Sequence, residues 1–174
     1  MVHQYPHQLS YGANNAVVAL TEKEVGKLFG GDTRSDIGSE AEKMKYANSI
    51  NELVVRFIRL DTHEPTGYEM LVMERLYPID FRAYEYEKRQ LWFEVFTDEL
   101  TKLHTAGFVH RDIQRPASIS GEIYDNVFLT ERGLRLIDVG ISALHTQVGD
   151  SLFEKFVRLE QQEMKEFGKY FLER

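Results

Sequence analysis

The period of the apolar positions changes several times along the chain, and each change marks an element. From Leu9 to Leu20, apolar ends flank the polar run Gly12-Ala13-Asn14-Asn15, and β-branched Val17-Val18 follow, which predicts two short strands about a turn. Glu24 to Phe29 reads as another short strand with a single lysine, Lys27. Between Asp32 and Asn48 the pattern becomes helical: Ile37, Glu40, Met44 and Ala47 recur at spacings of three, four and three, so Glu40 lies on an otherwise apolar face. Glu42 stays open as an alternative inward carboxylate, although Ser39 to Glu42 fits a helix-capping box equally well. Leu53-Val54-Val55 and Met70-Leu71-Val72-Met73 are too short for helices and predict strands, the second running on into Glu74-Arg75-Leu76.

Helical spacing returns after Tyr84. Trp92, Phe96, Leu100 and Leu103, at spacings of four, four and three, predict a helix that ends near Thr105. Val127-Phe128-Leu129 and Leu134-Arg135-Leu136-Ile137 flank the polar turn Thr130-Glu131-Arg132-Gly133, a hairpin pattern. A last helix is predicted from about Ser151 to Leu172, with Phe153, Val157, Met164, Phe167 and Phe171 as its apolar stripe and Asp150 as its cap. Strands around one helix, then mostly helices, make an α+β chain.

Composition narrows the partners. The 174 residues are enough to bury a core, and the net charge of −7 gives no general attraction to nucleic-acid phosphates or anionic lipid, so neither nucleic acid nor membrane is expected. Cysteine is absent, which excludes disulfides and thiolate chemistry. No run of about eighteen apolar residues occurs and the first residues lack a basic-then-apolar pattern, so a soluble cytoplasmic protein is expected, with export as an effector left open.

The chemistry is concentrated in three ordered segments: Val109-His110-Arg111-Asp112, then Asp125-Asn126-Val127, then Ile137-Asp138-Val139-Gly140. Together with the Lys27 strand they occur in the order of a protein-kinase catalytic core, and the chain resembles that superfamily, in particular its short bacterial members, over nearly its full length. The resemblance implies a two-lobe fold: residues 1–75 as a nucleotide-binding lobe with a small antiparallel sheet and one helix, and residues 76–174 as a reduced, mostly helical catalytic lobe. It implies ATP and Mg²⁺ as cofactors, with Asp112 accepting the acceptor's hydroxyl proton and Lys27 contacting the phosphates. Glu40, or else Glu42, would hold that lysine, while Asn126 and Asp138 would hold the metal. Gly12 would approach the phosphates, Val17 and Met73 would flank adenine, and backbone groups from Glu74 to Leu76 would hydrogen-bond it.

The chain also departs from that pattern. Of the glycine-rich phosphate loop only Gly12 remains, Gln114 stands where Ser/Thr kinases carry lysine, and Arg115 to Tyr124 reads as an insertion that delays the metal asparagine to Asn126. No A-P-E sequence follows Gly140, so most of a substrate platform is missing and Arg111 lacks a long loop to meet. His110 is expected to be structural, and Asp150 has a second possible role in bracing the His110-Arg111 backbone. The expected function is phosphoryl transfer from Mg-ATP, with a protein Ser/Thr acceptor favoured over a small molecule. The alternative is a pseudokinase, an ATP-binding adaptor that recruits a protein. In either case a protein substrate or activating partner is expected.

Overall fold

The structure, a computed structural model, describes residues 5–11, 15–30, 36–115 and 123–173. Strands β1 (His7–Tyr11), β2 (Ala16–Ala19) and β3 (Glu24–Phe29) form an antiparallel meander, and β4 (Phe57–His63) and β5 (Tyr68–Glu74) complete a five-stranded antiparallel sheet in the order β1-β2-β3-β5-β4. Helix α1 (Ile37–Asn48) lies between β3 and β4 in sequence and packs on the sheet through Ala41, Met44 and Ala47. Its cap is Asp36, whose carboxylate accepts from the N–H groups of Gly38 and Ser39. The expected Ser39–Glu42 box is therefore not the cap, and Glu42 is exposed.

The predicted strand at Leu53-Val54-Val55 is a correction. Those residues are buried, but they pair by one bridge with the second half of the chain, where the Leu136 N–H donates to the Leu53 carbonyl and the Val55 N–H to the Leu136 carbonyl, both at 2.8 Å. The sheet takes Phe57–His63 instead. This edge strand is largely exposed, and its Arg59 and Asp61 hide the apolar signal that sequence patterning relies on.

The second half contains α2 (Tyr86–Thr105), the short strand β6 (Phe108–Val109), the hairpin β7 (Val127–Thr130) and β8 (Gly133–Leu136), and β9 (Ala143–Leu144), which pairs antiparallel with β6. The one-turn helix α3 (His145–Val148) leads into α4 (Asp150–Phe171). Phe96, Leu100 and Leu103 of α2 meet Phe167 and Phe171 of α4 in one apolar cluster that continues to Val25, Met44 and Leu71 of the first half. At roughly 25 cal/mol per Å² of apolar surface, such a continuous interior is the main term holding the halves together. No helix among the described residues is long and apolar enough to cross a membrane.

Candidate active site

Lys27 is in the middle of the sheet, with β2 on one side and β5 on the other, and is 8 % exposed. Its Nζ lies 2.7 Å from Glu40 Oε1 and 3.3 Å from Asp138 Oδ1, bringing together residues 13 and 111 positions apart. Burial alone would lower the affinity of Lys27 for its proton, but Asp138 and Glu40 outweigh it, and the group is held firmly as an ammonium. Burial pushes the Glu40 carboxyl up, with Lys27 opposing, and its second oxygen has no partner among the described residues. Asp138 has a left-handed backbone with φ of 57°, a conformation that aspartate tolerates better than most residues. Burial resists its ionisation, yet Lys27 and the Gly140 N–H more than compensate and hold it below the usual carboxylate range.

Asp112 occupies a turn built from backbone contacts. His110 is fully buried; its Nε2 lies 2.8 Å from the Ile137 carbonyl and its Nδ1 accepts the Asp112 N–H at 3.2 Å, which assigns the neutral Nε2–H tautomer and a structural role. Asn126 Nδ2 donates to the Asp112 carbonyl at 3.0 Å. Burial raises the Asp112 carboxyl, and the charge of Asp138 adds to the effect.

The brace of this turn differs from the expected one. Glu160, in the middle of α4 and 1 % exposed, accepts from the N–H groups of His110 (3.1 Å) and Arg111 (2.7 Å) and lies 2.6 Å from His104 Nε2. Asp150 neither braces the turn nor caps α4 as its N-cap. That position is Gly149, and the Asp150 carboxylate pairs with His145. The Arg111 guanidinium lies 3.8 Å from the centre of the Phe156 ring and donates to the Ile141 carbonyl at 3.1 Å.

The strand register places two of the residues expected around a nucleotide relative to Lys27. Val17 is opposite Lys27 in the register, and Met73 is buried opposite Val25 and Phe57. The Glu74 side chain pairs with Arg135 and accepts the Arg56 N–H at 2.9 Å, so it anchors the segment. The N–H groups of Glu74 and Arg75 donate to the carbonyls of Arg56 and Lys23, leaving that of Leu76 as the one without a partner among the described residues of this segment. Gly12 lies outside the described residues. The insertion is closed at its base, where the Arg115 N–H donates to the Ile123 carbonyl at 2.7 Å and Arg115 pairs with Asp125; residues 116–122 lie outside the described residues.

Asn126 and Asp138 offer hard oxygen donors. Asn126 commits its amide nitrogen to Asp112, which leaves its oxygen as the acceptor, and Asp138 is ionised. Among the described residues no three acidic, histidine or cysteine side chains converge as a metal cage. An amide oxygen and a carboxylate are donors of the kind Mg²⁺ takes beside phosphates and water. No protein-family model matches the chain, and no curated protein matches it.

Proposed function

We propose that the chain is a Mg-ATP-dependent phosphotransferase of the protein-kinase kind, working in the cytoplasm, with residues 1–75 and 76–174 as its two lobes. The observation that carries this reading is the Lys27–Glu40–Asp138 ion cluster beside a turn that presents Asp112. Mg-ATP, when bound, would supply the γ-phosphoryl group and leave as ADP, with its Mg²⁺ offsetting the negative charge of the phosphates. Lys27, braced by Glu40, orients the phosphates. Asn126 and Asp138 would hold the cation through their oxygens, and the Leu76 N–H would serve the base. Asp112 accepts the proton of the acceptor hydroxyl and points its oxygen along the line of transfer, a contribution of about 10² to 10⁴ in rate.

A serine or threonine hydroxyl of a protein is the acceptor favoured by the His110-Arg111-Asp112 form, and a small-molecule hydroxyl is the alternative. An adaptor that binds ATP without transferring phosphate is the second reading, supported by a phosphate loop in which only Gly12 of the glycines remains. Radiolabelled ATP, given to the protein alone and with cell extract as acceptor source, separates the two. Saturating Mg-ATP should raise the melting temperature by about 5 to 10 °C, following from roughly 2.7 kcal/mol at a hundred times the dissociation constant. No thermal shift would overturn both readings, whereas a shift without transfer under either condition would favour the adaptor.

A further inference from the structure

Helix α1 reaches the backbone of the second half through two side chains. The Lys43 Nζ donates to the Gly140 carbonyl at 3.2 Å, and the Tyr46 hydroxyl donates to the Ala106 carbonyl. Lys43 lies three residues after Glu40, one turn along the same helix. Its ammonium is half-buried, and burial pushes its pKa down, with Glu40 opposing and the charge of Arg111 adding to burial. A lysine that only kept the helix wet would hold its hydration. This one gives part of it up for a peptide oxygen.

That oxygen belongs to the turn that carries Asp138. The two peptide groups flanking Gly140 are held by different side chains: the Gly140 N–H donates to Asp138 Oδ1 at 3.2 Å, and the Gly140 carbonyl accepts from Lys43. Glycine leaves the angles between its two peptides soft, so the second contact limits what the first leaves free. Asp138 has its left-handed φ of 57°, a conformation that lasts where the surroundings enforce it, and the same Oδ1 meets Lys27 Nζ at 3.3 Å. The other contacts of this turn come from the second half. The Ser142 N–H donates to the Val139 carbonyl and the Ser142 hydroxyl to the His110 carbonyl, both at 3.0 Å, and Arg111 donates to the Ile141 carbonyl. Among the described residues, Lys43 is the first-half side chain that donates to the backbone of residues 138–142.

We propose that Lys43 is a positioning residue for Asp138: by holding the Gly140 carbonyl it fixes the turn that carries this carboxylate. Helix α1 then sets both partners of Lys27, Glu40 directly and Asp138 through Gly140. The consequence for Mg²⁺ rests on the phosphotransferase reading, whereas the hold on the turn does not.

The first arm of the test therefore needs no nucleotide. NMR of the whole protein follows the Gly140 carbonyl carbon and the Asp138 carboxyl carbon in wild type, Lys43→Met and Lys45→Met. Lys45 is the control, an exposed lysine of the same helix set over the Phe57 ring. Both signals should shift in Lys43→Met and stay in place in Lys45→Met. An Asp138 carboxyl indifferent to Lys43→Met, or moved equally by Lys45→Met, would overturn the proposal.

The second arm titrates Mg²⁺ against ATP binding by calorimetry. Lys43→Met should raise the Mg²⁺ concentration for half-maximal nucleotide binding by about fivefold, since it loses one hydrogen bond and no metal ligand. ATP affinity without Mg²⁺ should stay within about twofold, because Lys27 and Glu40 are untouched. Lys43→Arg, which can still donate, should restore the wild-type Mg²⁺ dependence. An arginine variant as impaired as Lys43→Met would overturn the proposal. So would a Lys43→Met protein that loses ATP binding by the same factor with and without Mg²⁺ and melts several degrees lower, because Lys43 would then be a structural support. If wild type binds no Mg-ATP, the metal consequence falls with the phosphotransferase reading, and the NMR arm alone decides the hold on Asp138.

Discussion

Lys27 is fixed by two carboxylates that reach it from α1 and from the residue pair after β8, whereas Asp112 sits in a turn whose backbone N–H groups are held by α4. The first arrangement consists of charges in balance. It responds to anything that brings or removes charge, and a phosphate group or divalent cation entering there would compete for the same atoms. The second is a matter of shape, because the Glu160 carboxylate there holds two backbone N–H groups and the His104 ring. Desolvation acts on both, but only Lys27 has opposite charges near enough to outweigh it.

The sharpest way to break this comparison is to remove one working group from each side. Asp112→Asn should cut transfer by about 10² to 10⁴ with ATP affinity unchanged, while Lys27→Met should lose both transfer and Mg-ATP binding. Equal loss of ATP binding in the two variants, measured by calorimetry, would mean that the two regions are not separate. Next in size, Glu160→Gln turns one acceptor of a buried cluster into a donor and should cost about 3 kcal/mol, or roughly 6 to 12 °C in melting temperature. Glu40→Gln should cost about 1 kcal/mol, since Lys27 keeps Asp138 and burial already disfavours the Glu40 charge. Denaturant titration of both variants would show the contrast directly, and an equal cost would deny it.

Asn126→Ala should raise the Mg²⁺ concentration needed for half-maximal nucleotide binding by about tenfold, a loss of roughly 1.4 kcal/mol. Ser118→Ala, in the insertion, should leave it unchanged. Smallest of all, Glu42→Gln should shift stability by no more than about 0.5 kcal/mol and leave transfer intact, because its side chain is exposed.

One residue of this site is written in periodicity, while Lys27, Asp112, Asn126 and Asp138 follow from the order of the segments that resemble a kinase core. Glu40 stands out because it interrupts an apolar stripe on α1, and the structure buries it against Lys27. The same signal was present on α4. Glu160 lies three residues after Val157 and four before Met164, in line with the stripe, whereas the family resemblance points to Asp150 as the brace. The lesson is physical: a carboxylate at a core position must find donors, and here they are backbone amides that no side-chain pattern reveals. Strand β4 was hidden for the opposite reason. An edge strand with one wet face can carry charges freely, while the apolar Leu53–Val55 run satisfies its backbone across the molecule at Leu136. Strands β6 and β9, two residues each, are too short to leave a periodic trace.

Arg111 carries a consequence for control. Its guanidinium already rests on the face of Phe156 and on the Ile141 carbonyl, both supplied by the chain itself. An arginine that awaits a phosphorylated loop makes a latch needing one enzyme to close it and another to open it. Here an aromatic ring performs the closing, and it is installed at translation. The arginine beside Asp112 therefore takes its two contacts from folding alone, since ring and carbonyl belong to the same polypeptide.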